Sequence, residues 1–257
     1  MISASLIEQL YGRPRGVGKG AFAEAAAPRH HAPRLGGASM SDSGQRNVTP
    51  HETIDERLLN RMIFFTDAVF AIVLTLMVLD LKPPPFDRPF GDRAAMLGMA
   101  SHFFALTMSF AVIGIFWFAH LATTRRMRQF DWASAVANLA FMFPVCLLPF
   151  ATAWWGRDLS AAFPWGMYCG TMVATSLANL ALVLTVSRDG GRLVGGITGR
   201  ERLYRAARAA SPGIAFGLGI VLMAAGHLHL AQFSWLLIPV QFWIYGRTLK
   251  PKAGAGA

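Results

Sequence analysis

The chain has 257 residues, of which 54% are hydrophobic and only 15% charged, with a formal net charge of +10. Soluble domains carry about a quarter charged residues, so this composition argues against a soluble globular protein, and its hydrophobicity equally excludes disorder of the whole chain. The two cysteines, Cys146 and Cys169, both lie in apolar stretches, which gives neither a disulfide framework nor a metal site.

Residues 1–48 are rich in Gly, Ala, Pro, His and Arg without periodicity, and read as a disordered basic cytoplasmic tail. They hold no apolar core of a secretory signal. Gly16-Val17-Gly18-Lys19-Gly20 lacks the spacing and the Ser/Thr of a phosphate loop. Met40 is as good a translation start as Met1. Thr49-Pro50-His51-Glu52 has the form of a capping box. The spacing predicts a helix from there to Leu81, stopped by Pro83-Pro84-Pro85. An ordered domain over 49–250 follows, with a short cytoplasmic tail at 251–257.

A helix needs about 20 apolar residues to cross roughly 30 Å of hydrocarbon. Six stretches qualify: 61–81, 98–121, 133–155, 162–186, 209–228 and 232–246. The sixth is short and begins close to the turn that ends the fifth. The runs are continuous rather than alternating, so the expected fold is all-α, a six-transmembrane-helix bundle. Basic residues gather at one side of it. With a cytoplasmic N-terminus, only Lys82, Arg88, Arg93 and Arg157 of the 24 Lys and Arg fall outside. The positive-inside rule therefore places both termini in the cytoplasm, and the basic pI is membrane topology rather than nucleic-acid binding.

Ionisable residues inside spans are costly and mark function or interhelical bonding. Asp67 lies six residues past Arg61, His120 five before Arg125, and Asn138 seven after Asp131. At ~1.5 Å per residue they converge about 8–10 Å from the cytoplasmic end. Trp117 stands one turn from His120, and Thr66 adjoins Asp67. One reading is an interhelical hydrogen-bond cluster of Thr66, Asp67, Trp117, His120 and Asn138. Others are a proton relay through Asp67 and His120, or polar residues each satisfied locally.

The other side of the first helix is apolar. At about 100° per residue, Ile72, Leu76 and Leu79 lie roughly 140°, 180° and 120° around from Asp67, with Thr75 at their edge. This strip reads as a lipid-facing or packing surface, or as a pore wall with hydrophobic constrictions. Gly213-x3-Gly217 has the spacing of close helix packing. Trp154, Trp155 and Trp165 fit an outer interfacial belt. Asp80 stands at the outer end of the first helix. His227 and His229 are too few for a metal site. No nucleophile–base pair stands at helical spacing, so an enzyme is not expected.

The run Arg61-x3-Phe65-Thr66-Asp67-Ala68-x-Phe70-Ala71-Ile72-x2-Thr75-Leu76-x2-Leu79 resembles the first-helix signature of the transmembrane protein 175 family. These are the lysosomal potassium channels and their bacterial homologues. Ser109-Phe110, Phe116-Trp117-x2-His120, Asn138 and Pro149-Phe150-Ala151-Thr152 extend the resemblance over about 57–153. The family Ser is Thr66 here, and Ala151 replaces a Pro. The resemblance implies a non-canonical homotetrameric cation channel without a re-entrant filter loop. Four copies of helix 1 would line the pore, with Ile72, Leu76 and Leu79 at its narrow points and Thr75 nearby. Arg61, Phe65, Thr66, Asp67, Trp117, His120 and Asn138 would be the polar cluster holding that helix in place.

The expectation is thus a potassium-permeable leak channel of a bacterial plasma membrane, with K+ as permeant ion and no cofactor. Its partners would be its own copies and the lipid bilayer, with no nucleic acid. The rivals are a proton-coupled transporter or proton pathway using Asp67 and His120, and a non-conducting scaffold. The six arginines of 188–208 suit anionic headgroups, although topology alone explains them.

Overall fold

The computed structural model describes residues 53–81 and 92–250, and these form only helices and turns. In chain order they are α1 (Ile54–Leu79), α2 (Arg93–Thr124), α3 (Trp132–Arg157), α4 (Ala162–Val186), a 3-10 turn (Asp189–Val194), α5 (Gly199–Ala224), the single turn α6 (Leu228–Ala231), a second 3-10 turn (Ser234–Leu236) and α7 (Leu237–Thr248). The expectations for the tail 1–48, for Thr49-Pro50-His51-Glu52, for Pro83-Pro84-Pro85 and for 251–257 concern residues outside those described.

α1 begins at Ile54. Its N-cap is Thr53, whose hydroxyl accepts from the Glu56 N–H while the Glu56 carboxylate accepts from the Thr53 N–H at 2.8 Å. The chain holds two Thr-x-x-Glu runs in tandem, Thr49–Glu52 and Thr53–Glu56. The second adjoins the continuous helix and satisfies its first orphan donors. α1 then ends at Leu79, two residues before the expected stop, with Asp80 as C-cap.

Among the described residues five helices, α1 to α5, are long and apolar enough to cross a membrane. The expected sixth span is broken: 228–248 is made of α6, a 3-10 turn and the 12-residue α7. A 12-residue helix is ~18 Å long, too short to cross alone. The segment nevertheless runs the length of the bundle. The Gln232 amide bonds the Leu159 carbonyl in the α3–α4 turn, and the Arg200 guanidinium bonds the Thr248 carbonyl at 2.8 Å beside the start of α5. α5 itself starts at Gly199, ten residues before the expected span. Thr198 caps it by accepting from the Glu201 N–H at 3.2 Å, so its polar first turns precede the apolar portion.

The core lies where α3, α4 and α5 pack most extensively, with α2 against α3. Trp155, Trp165 and Tyr168 are fully buried there, with ring centroids 4.7 to 5.7 Å apart, and Phe216 of α5 abuts Tyr168 edge-on. This corrects the interfacial assignment of two tryptophans. Only Trp154 keeps partial exposure, because α4 and α5 cover the α3 face that carries Trp155. Close approach of α4 and α5 depends on Gly213, where a Cβ would stand 2.8 Å from Ser176 Oγ. Gly217 has nothing within 4 Å of its would-be Cβ; the second tight position is Gly219, 2.7 Å from Ser234 Oγ. Pro144 and Pro149 lie inside α3.

α1 joins this core through one face only. It packs on α3 and, less, on α2. Among its residues only Leu59, Thr66, Phe70, Val73 and Met77 are buried. These recur at helical spacing and form one stripe.

Candidate functional site

Two sets of hydrogen bonds join α1, α2 and α3 at one level. In the first, Trp117 Nε1–H of α2 donates to Asp67 Oδ1 of α1 at 3.0 Å. In the second, Asn138 of α3 stands in the middle: its Nδ2 donates to Thr66 Oγ1 at 2.8 Å, and its Oδ1 meets His120 Nε2 at 2.8 Å. With the amide nitrogen committed to Thr66, the oxygen faces His120, so Nε2 of the imidazole carries the proton. Thr66 Oγ1 passes its own hydrogen to the Met62 carbonyl at 2.9 Å.

Thr66, His120 and Asn138 are buried. The His120 ring stacks on Phe141 at 5.9 Å between centroids and lies 6.2 Å from Phe70. In an apolar setting, each polar group needs a partner within the protein, and this chain supplies one for each. The Thr for Ser replacement at position 66 retains the hydroxyl that Asn138 requires. Arg61 and Phe65 are not drawn into the cluster. Both are exposed on α1, Phe65 at 53%. Asp67 and His120 fall into different hydrogen-bonded sets, with no direct bond between them.

The other described residues leave the apolar strip of α1 open. Ile72 is 55% exposed, Leu76 45% and Leu79 74%. Thr75 is exposed on the same side. Its hydroxyl donates back to the helix, 2.9 Å from both the Ala71 and Ile72 carbonyls. Its hydrogen is thus occupied locally, and the side chain offers an oxygen lone pair and a methyl to its surroundings.

A second polar level was not anticipated as a site. Thr152 Oγ1 of α3 donates to Ser109 Oγ of α2 at 2.9 Å, and Ser109 Oγ meets Tyr168 OH of α4 at 3.0 Å. All three residues are buried. Ser109 and Thr152 stood within the family-like run, but nothing in one sequence pointed to Tyr168 as their partner. Nearby, a small cavity at the end of α1 is lined by Met77, Asp80, His102, Leu106, Pro149 and Thr152. Ser101 Oγ donates to the Gly156 carbonyl at 3.0 Å and joins α2 to α3 at that end.

Comparisons of sequence and of fold with known proteins point to one family. The family described as "Endosomal/lysosomal potassium channel TMEM175" matches residues 61–149. A protein named a potassium channel from a Chryseobacterium strain is 27% identical over 180 residues, covering 69% of this chain and 92% of the relative. A Streptomyces collinus protein of the same description is 34% identical over 134 residues, covering 51% of this chain and 65% of that one. The human relative, named an endosomal/lysosomal proton channel, is 34% identical over 109 residues, and the match spans only 21% of its length. The crystal structure of a lysosomal potassium-selective channel TMEM175 homolog from Chamaesiphon minutus superposes with a TM-score of 0.63 at 21% identity, covering 75% of this chain and 100% of that one. The resemblance announced by the first helix is thereby shown. Residues 61–149 match the TMEM175 family model, and the all-helical fold is similar to that of a TMEM175 homolog.

Proposed function

We propose that the chain is a subunit of a potassium-permeable leak-type cation channel whose pore is lined by α1. The observation that carries this reading is the bare strip of Ile72, Leu76 and Leu79, on the side of α1 away from the stripe that packs on α2 and α3. Four copies arranged as a homotetramer would turn these strips toward a common axis. The relatives named potassium channels support potassium as the permeant ion.

Discrimination would come from the width and hydration of rings of Ile72, Leu76 and Leu79, with Thr75 contributing an oxygen. No covalent chemistry and no cofactor enter. Thr66, Asp67, Trp117, His120 and Asn138 act in this reading as the bracket that fixes the rotation of α1. The charge asymmetry of the loops supports both termini in the cytoplasm, and the bacterial relatives support a bacterial plasma membrane.

Because the animal relatives are named proton channels, a proton pathway through Asp67 and His120 is the second reading. Potassium, sodium and proton fluxes into liposomes holding the purified protein separate the two. The channel reading expects potassium flux whose magnitude or selectivity changes in Ile72→Asn while the oligomer stays intact. Proton flux alone, indifferent to Ile72, would overturn it.

A further inference from the structure

α7 packs chiefly on α5 and carries two aromatic residues in succession, Phe242 and Trp243. Each ring holds an arginine. Arg208 of α5 lies with Cζ 4.4 Å from the Phe242 ring centroid, and Arg247 lies 4.1 Å over the ring of Trp243, which is 57% exposed. The sequence has no Asp or Glu after Glu201, and Arg126 and Arg205 occupy that carboxylate. Among the described residues, neither Arg208 nor Arg247 pairs with a carboxylate.

Arg208 is also held in one orientation. Its Nη1 donates to Tyr204 OH at 2.9 Å, one turn back along α5, and its flat face rests on Phe242. Nε–H and Nη2–H leave the opposite edge of the guanidinium side by side. They have no acceptor among the described residues, and at this half-buried position they stay accessible. The positive-inside rule asks for charge and not for orientation, so a freely solvated Lys or Arg would satisfy it. A guanidinium fixed on two sides with one edge open is preorganised for an acceptor that offers two oxygens.

We propose that Arg208 binds the phosphate of an anionic phospholipid in the cytoplasmic leaflet, with Nε and Nη2 donating to two phosphate oxygens and Arg247 adding positive charge beside it. The depth suits a headgroup. Glu201 pairs with Arg126 just past the end of α2, and Arg208 stands about 10 Å further along α5. Helical side chains lean toward the N-terminus, as the Tyr204 bond shows here, and this returns the guanidinium toward the membrane surface. Exposed Trp243 fits the same level, where aromatic residues gather. α1 packs on α3 and α2 whereas α7 packs chiefly on α5, so this edge of the subunit is open to lipid when α1 faces a pore. The choice of leaflet rests on the orientation proposed above; binding itself does not depend on ion conduction.

The test is thermal unfolding of the purified full chain in neutral detergent, which needs no channel activity and therefore fails independently of the pore reading. Phosphatidylglycerol, phosphatidylcholine and inorganic phosphate are titrated in parallel. Phosphatidylglycerol alone is expected to raise the melting temperature of the parent. Arg208→Lys keeps the charge and loses the paired edge, and is expected to raise the phosphatidylglycerol concentration for half the gain about tenfold. Arg247→Gln, at an exposed position that tolerates replacement, is expected to raise it about threefold. Arg202→Gln, exposed on the first turns of α5, is expected to respond as the parent does. An arginine that merely fastens α5 to α7 would give a lower basal melting temperature in Arg208→Lys with the lipid response unchanged. That result, no gain with phosphatidylglycerol, an equal gain with phosphatidylcholine or inorganic phosphate, or an equal loss in Arg202→Gln would each overturn the proposal.

Discussion

Asn138 Nδ2 donates to Thr66 Oγ1 over 2.8 Å and so ties the third helix to the first. The bond is buried, and both partners have further commitments: Asn138 to His120, Thr66 to the Met62 carbonyl. Removing the hydroxyl therefore strands the amide rather than merely subtracting one contact. Thr66→Val is expected to lower stability by about 1–2 kcal/mol. Thr66→Ser keeps the acceptor and is expected to unfold close to the parent. Thermal unfolding in detergent measures both, and equal melting temperatures for Val and Ser would refute the role given to the hydroxyl.

Asp67 accepts from Trp117 Nε1–H through one carboxylate oxygen. An amide at this position retains an oxygen for the same bond. Asp67→Asn is therefore expected to preserve assembly and potassium flux if the residue acts as a bracket. Trp117→Phe deletes the donor and is expected to cost about 1 kcal/mol. Size-exclusion profiles and liposome fluxes decide between the readings. An intact oligomer that loses proton flux in Asp67→Asn would show that the charge, rather than the bond, is what function needs.

Gly213 and Gly217 look equivalent in sequence and are not equivalent in the fold. A methyl at 213 would press on Ser176 Oγ at 2.8 Å, and that hydroxyl is held by the Ala209 carbonyl at 2.8 Å. Gly213→Ala is expected to destabilise by about 1–3 kcal/mol. Gly217→Ala meets nothing and is expected to stabilise by up to about 1 kcal/mol through helix propensity. Melting temperatures that rank the two variants the other way round would contradict the packing described.

What sequence revealed and concealed follows from the kind of information involved. Helical rise alone places Thr66, Asp67, Trp117, His120 and Asn138 at one depth, because depth depends only on counting residues. How those side chains divide is a matter of helix rotation and rotamer, so the separation of Trp117–Asp67 from His120–Asn138–Thr66 was not legible. Periodicity likewise displays the Ile72, Leu76 and Leu79 strip but is silent on what faces it. Trp155 and Trp165 carry the composition of an interface, yet α4 and α5 enclose them. The Tyr168–Ser109–Thr152 contact joins residues far apart in the chain, and neither propensity nor pattern reports such a pairing. The break before α7 follows the same logic: the apolar count of 232–246 is nearly sufficient, but the hydrogen-bond course of the backbone there is not a compositional property.

Pro144 and Pro149 divide α3 between its two anchored levels, Asn138 toward one end and Thr152 toward the other. Each proline lacks the N–H that would bond the carbonyl four residues earlier, so Ala140 and Val145 lose their helical partners. The two anchored portions are thus joined by a section of reduced bending stiffness. α3 behaves mechanically as two short rods with a compliant joint.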